Sequence, residues 1–274
     1  MSCSLHLSSI HLRVANLDRS LDFYTRQVGM VLIRQNGAEA ELAPALADKP
    51  ILTLTRDHSA SPQPPDAAGL FHAALLLPSR AALGRWLRFA VGQGVQFAGF
   101  SDHGVSEALY LSDPDGNGLE VYADRPRPEW PFRNGKLAMT TEPIDLDSLV
   151  AAGGAAPAGD AVTSGAAWGH LHLRVTDLDA SEEFYRDALG LSLTQGDFPG
   201  ARFLAADNYH HHLGLNIWGN PRRAKPRNTL GLSCAIFARM DAHETRSVGD
   251  PNGIEITIIP FEPAGKRAGS TATR

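Results

Sequence analysis

The chain has 274 residues, of which 43% are hydrophobic and 20% charged, with a formal net charge of −5. That length supports one or two globular domains, and the acidic balance without a Lys/Arg stripe excludes a nucleic-acid binder. The two cysteines, Cys3 and Cys234, cannot build a disulfide framework and point to a cytoplasmic protein, no N-terminal secretory pattern is apparent, and apolar runs such as 73–78 and 254–260 are too short to span a membrane.

In chain order, an alternating strand carrying His11 opens the sequence and is followed by a helix starting at Asp18, a residue type that caps free N–H groups. Leu21, Tyr24 and Val28 recur at helical spacing, Gly29 supplies the stop, and strand-like runs end near 51–55. A second unit, 70–122, gives a strand at 71–77 carrying His72. Its helix starts at Ser79 after Pro78, with Leu83, Trp86, Leu87 and Ala90 on one face, and strands run up to 118–122. Residues 124–167 are rich in Pro, Gly and Ala and read as a linker. Residues 171–193 then repeat 10–32 with 11 of 23 positions identical, at an offset of 161, so His172 corresponds to His11 and Gly190 to Gly29. Strand-like runs end near 213–218. The last unit, about 230–259, keeps its first and last strands, 232–237 and 253–259, but has no helix between them. The expected organisation is α+β, with a two-unit domain over 1–123, a linker over 124–167, a second domain over 168–262 and a disordered tail over 263–274.

Two turns, DPDGNGLE at 113–120 and DPNGIE at 250–255, each lead into a strand that opens with a carboxylate, Glu120 and Glu255. Strand alternation sends Glu120 to the face opposite Leu119 and Val121. A carboxylate in so apolar a strand needs a metal or an arginine as partner. His72 lies in GLFHAALLLP, where it is either a hydrogen-bonded core residue or a ligand, and His11 faces the same choice. Two histidines and one carboxylate form a facial set for a divalent metal, and His11, His72 and Glu120 are the candidates.

These features resemble the vicinal oxygen chelate superfamily, most specifically in SEALYLSDPDGNGLEVY at 106–122. The resemblance covers nearly the whole chain and is strongest to four-module extradiol dioxygenases of the catechol 2,3-dioxygenase type. It implies paired βαβββ modules forming two half-barrel domains, here with the fourth module truncated. It also implies Fe(II), with Mn(II) close in ligand preference, held by His11, His72 and Glu120. Tyr110, ten residues before Glu120, corresponds to a tyrosine that contacts the substrate oxygen. His58, fourteen before His72, corresponds to an acid–base histidine, and His103 to another upstream histidine. Substrates would be a catecholic diol and O₂, in a homo-oligomer. Glyoxalase-like or thiol-transferase chemistry is the alternative within the superfamily, and a metal-free small-molecule binder is the alternative outside enzymes. In the C-terminal half, His172 and Glu255 are present, but Cys234 stands where His72 would, so that site is expected to be degenerate. His170 is read as out of phase with His172, and Tyr209 to His212 as an interface helper or a surface cluster.

Overall fold

The computed structural model describes residues 4–155 and 161–262; Cys3 and the tail 263–274 lie outside them. The first unit contains β1 (Leu5–Val14), α1 (Leu17–Asp22) running into a π-helical turn (Phe23–Gln27), β2 (Val31–Asn36), β3 (Glu39–Ala43) and β4 (Leu52–Arg56). The second contains β5 (Gly69–Leu76), α2 (Arg80–Gly92), β6 (Phe97–Asp102), β7 (Ser106–Ser112) and β8 (Gly118–Asp124). A connecting segment carries β9 (Phe132–Arg133), β10 (Lys136–Leu137) and α3 (Leu146–Ala152). The third unit has β11 (Ala167–Arg174), α4 (Leu178–Leu189), β12 (Ser192–Gln195), β13 (Ala201–Ala205) and β14 (Leu213–Asn216). The fourth has only β15 (Gly231–Arg239), β16 (Arg246–Gly249) and β17 (Glu255–Pro260), with no helix. This is the α+β architecture of βαβββ modules with a truncated fourth member.

Helix starts follow capping chemistry, two residues earlier than Asp18 and its repeat Asp179. The Asn16 side chain accepts the Arg19 N–H at 3.0 Å, and Asp177 accepts that of Ala180 at 2.9 Å. Ser79 caps α2 as expected, accepting the Ala82 N–H at 3.2 Å, and Leu83, Trp86, Leu87 and Ala90 are buried on its inner face. Gly29 and Gly190 end their helices with φ of +87° and +71°, a conformation that excludes most side chains.

The two large sheets do not follow the halves of the chain. One is ordered β16-β17-β15-β1-β4-β3-β2 and joins the first and fourth units. The other is ordered β12-β13-β14-β11-β5-β8-β7-β6 and joins the third and second. The division at 123 and 168 therefore separates strands that hydrogen-bond to each other: β1 pairs antiparallel with β15, and β11 with β5. The main apolar core takes Ile10 and Leu12 from β1, Leu75 from β5, Leu171 and Leu173 from β11 and Phe237 from β15, together with Trp86 of α2 and Tyr185 of α4. Nor is the segment 124–167 a bare linker. Leu149 of α3 is fully buried, and Arg80 of α2 donates to the Ser148 carbonyl at 3.2 Å.

Candidate active site

The site sits on the polar face of the sheet that joins units two and three. β5 and β8 run parallel, with Ala74 opposite Glu120, and β11 runs antiparallel to β5, with His172 opposite His72. The β5–β11 register slips between Trp168 and His170, leaving Gly169 as a bulge. A bulge reverses facing, so Trp168 points to the core, where its indole N–H reaches the Ile51 carbonyl at 2.6 Å, while His170 points to the cavity. Gly169 also permits a close approach, because a Cβ there would overlap the Tyr122 hydroxyl.

Three potential ligand atoms converge. His72 Nε2 lies 2.9 Å and His170 Nε2 3.4 Å from Glu120 Oε2, and all three residues are buried. No arginine or lysine neutralises Glu120 among the described residues within ion-pair distance; its partners are the two imidazoles. The buried Nδ1 of His170 and Nε2 of His172 have no hydrogen-bond partner. A buried carboxylate ringed by imidazoles with unspent nitrogens suits a divalent cation and is costly without one. Burial lowers the His170 pKa to about 4, despite the opposing Glu120 charge, so at neutral pH the ring is in the form that ligates metal.

His72, Glu120, Tyr110 and His103 all line one cavity of about 340 Å³. Thr140 supplies a carbonyl 2.7 Å from His103 Nδ1, which places the ring proton there. His103 Nε2 is then an acceptor, and Tyr110 donates its hydroxyl proton to it at 2.7 Å. Burial raises the Tyr110 pKa well above the usual phenol range, with Glu120 adding to the shift.

His11 and His58 are not in this cavity. His11 lies in the other sheet opposite Cys234, and His58 is exposed in the turn after β4. The His11 assignment assumed that unit one pairs with unit two, whereas unit two pairs with unit three, and His58 rested only on its spacing before His72 in the resemblance. The first-strand histidine that joins His72 is therefore His170. Its supposed mismatch with His172 was mistaken, since residues two apart on a strand share a face. Glu255 is likewise not the counterpart of Glu120. The two turns align with Asp113 on Asp250, each closed by a hydrogen bond from its N–H to the fifth residue's carbonyl, which sets Gly118 on Glu255 and Thr257 on Glu120. In the first sheet the ligand positions hold Ser9, Cys234 and Thr257, and Cys234 Sγ lies 3.6 Å from Thr257 Oγ1.

The three histidines at 210–212 are buried rather than forming a surface cluster. His211 lines the cavity, its ring 4.1 Å from that of His170. His210 joins His211 through Nδ1 atoms 2.7 Å apart and Asp124 through Nε2 at 2.9 Å. His212 Nδ1 accepts the Ala206 N–H at 3.2 Å, and burial lowers its pKa to about 3. Unfolded, this histidine titrates near 6.5, so the unfolded chain binds the proton first as pH falls. Stability should be complete above pH 6.5 and drain away between about 6.5 and 3, at up to about 1.4 kcal/mol per pH unit for this residue. Urea unfolding of the metal-free protein across that range should show the slope, and His212→Gln should reduce it by this residue's share.

Residues 6–121 and 167–267 match the Glyoxalase/Bleomycin resistance protein/Dioxygenase superfamily. Over 236 residues the chain is 41% identical to a catechol-2,3-dioxygenase of Bacillus subtilis (strain 168), covering 83% of this chain and 80% of that protein. Among solved structures, a glyoxalase I mutant from Zea mays superposes with a TM-score of 0.57 at 17% identity, covering 94% of both chains. A candidate dioxygenase from Bacillus subtilis subsp. subtilis str. 168 gives 0.61 at 12% identity, covering 96% of this chain and 87% of that one. At those identities the structural likeness concerns the fold alone. Together with the paired βαβββ modules, the sequence match over both halves shows that this chain belongs to the glyoxalase/bleomycin resistance/dioxygenase superfamily.

Proposed function

We propose that the chain is an extradiol ring-cleaving dioxygenase, acting on an uncharged catechol and O₂ at Fe(II) held by His72, His170 and Glu120. The observation that carries this reading is the buried two-histidine, one-carboxylate set with Tyr110 beside it in an aromatic cavity. The 41% identity to a catechol-2,3-dioxygenase supports an oxidoreductase of that type. Iron in this set would supply the redox-active centre where the diol and O₂ meet, with one face occupied by protein and the other open. Mn(II) suits the same donors.

The residues around the centre have separable tasks. Phe71, Phe100, Phe198, Phe203 and Trp218 wall the cavity, exclude water and offer ring faces to an aromatic substrate. Among the described residues no lysine or arginine lines it, which favours a substrate without a carboxylate. Tyr110 presents its hydroxyl to a ring oxygen, oriented by His103 and in turn by the Thr140 carbonyl. His211 offers a neutral imidazole to the substrate hydroxyls, and its hydrogen bonds through His210 to Asp124 lead a proton towards the half-buried carboxylate. Net chemistry is catechol plus O₂ to a muconic semialdehyde, with the carbon–carbon bond beside the diol broken and both oxygen atoms entering the product.

A glyoxalase reading needs a further carboxylate ligand from the last strand of unit three, and β14 reads LGLN. The test is anaerobic loading with Fe(II), then catechol and air, following the yellow semialdehyde by absorbance. The reading predicts Fe-dependent colour, and Tyr110→Phe should lower kcat by about 10²-fold while iron stays bound. Metal binding without ring cleavage of any simple catechol would count against it.

A further inference from the structure

The sheet that lacks metal ligands has a cavity of its own. It measures about 700 Å³ and is lined by Arg13, Lys225 and Arg227, with Ser233, Ser247 and Glu255 among its other walls. Lys225 is only 6% exposed, a rare state for an ammonium group without a counter-charge. Its Nζ donates to the Thr229 carbonyl at 3.1 Å, and among the described residues it has no carboxylate within ion-pair distance. An ammonium has three donors, so two are left for something else. Arg13 stands close by, donating to the Arg227 carbonyl and reaching the Thr229 carbonyl at 3.5 Å. Among the described residues its carboxylate partner is Asp57 at 3.4 Å, where both side chains are about a quarter exposed.

Lys225 and Arg227 are held in place by the segment that carries them, and Arg13 by β1. Residues 222–230 are tied by backbone hydrogen bonds from Arg222 N–H to Asp66, from Lys225 N–H to Asn252 at 2.7 Å, and from Leu230 N–H to Ser61. Among the described residues, neither Asp250 nor Glu255, which also line the cavity, lies within ion-pair distance of these cations. The Asp250 oxygens are engaged by the Asn252 and Ile254 N–H groups and by the Tyr185 hydroxyl at 2.9 Å. Glu255 is exposed on the rim, and with Glu39 and Glu41 it acts on His11.

We propose that this second half-barrel is a binding site for a small oxyanion, a phosphate or carboxylate group seated between Lys225 and Arg13. An anion would take the unused ammonium donors and offset two neighbouring positive charges in a partly desolvated cavity. Burial and the Arg13 charge lower the Lys225 pKa to about 8, so the anion should also bind less well as pH rises through that value and the lysine loses its charge.

The experiment is calorimetric titration of the full-length protein with inorganic phosphate and, separately, with succinate. Saturable binding near one site per chain is expected for at least one of them. It should weaken at least tenfold in Lys225→Met and in Arg13→Gln, fall between pH 7 and 9, and persist in His72→Ala. Phosphate alone binding would identify a phosphate site, and succinate alone a carboxylate site. Two variants at separate places guard against misfolding of either, with circular dichroism as the check. No saturable binding of either probe would overturn the proposal. So would binding that both cation variants retain, or binding lost only with His72→Ala, which would place the anion in the other half-barrel.

Discussion

Replacing His170 by alanine will strip the protein of iron and of ring-cleaving activity, whereas replacing His11 by alanine will leave both close to wild type. His170 lies 3.4 Å from the Glu120 oxygen that His72 approaches at 2.9 Å, and the side chains of all three are nearly inaccessible. Removing one of the three proposed ligands leaves a two-ligand site whose buried carboxylate has lost one of its two imidazole partners. His11 sits in a sheet whose ligand positions hold Ser9, Cys234 and Thr257, none of them a histidine or carboxylate. Iron per chain, measured after gel filtration of Fe(II)-loaded protein, should be near one for wild type and His11→Ala and near zero for His170→Ala. Iron lost from the His11 variant and kept by the His170 variant would move the centre to the first sheet.

The largest stability effect expected from a single truncation is at Trp86. The side chain is fully buried on the inner face of α2, edge-on to Phe97 with ring centroids 6.2 Å apart. Its indole N–H donates to the Val28 carbonyl at 2.8 Å, at the end of the π-helical turn of the first unit. One residue therefore links the helix of a unit in one sheet to the helix of a unit in the other. Trp86→Ala should cost about 3–5 kcal/mol, from lost burial, the cavity left behind and an unsatisfied Val28 carbonyl. Trp86→Phe keeps most of the volume and should cost less, about 1–2 kcal/mol, mainly for the hydrogen bond. Urea unfolding at neutral pH measures both, and equal losses would mean that packing contributes little here.

The sequence carries much of this arrangement. The repeat of 10–32 at 171–193 marks the units, Ser79 marks the start of α2, and the absence of a helical pattern between 237 and 253 is matched by the short fourth unit. His72 and Glu120 were legible from an apolar strand and a turn motif, Tyr110 and His103 through the family resemblance, and all four line the cavity. What the pattern does not encode is which first strands lie side by side. Period-two alternation fixes the face of β1, β5, β11 and β15, but any two of them could pair without changing it. Assuming that neighbours in sequence pair led to His11, because consecutive units are the usual partners, while His58 followed from the family spacing before His72. Closer attention to parity would have recovered His170, which stands two residues from His172 on the same strand. The bulge at Gly169, which separates His170 from Trp168 of the same parity, has no local signal beyond the glycine itself. His211 was equally hidden, since a run of three histidines does not say which one faces a cavity formed by distant strands.

The most direct test of ring cleavage at the His72–His170–Glu120 centre is the product formed from catechol under ¹⁸O₂ by the Fe(II)-loaded protein. Mass spectrometry should find a ring-opened semialdehyde that carries label from O₂, formed by wild type and not by His170→Ala. A dicarboxylic product opened between the two hydroxyl carbons, or a semialdehyde formed equally well without His170, would contradict it.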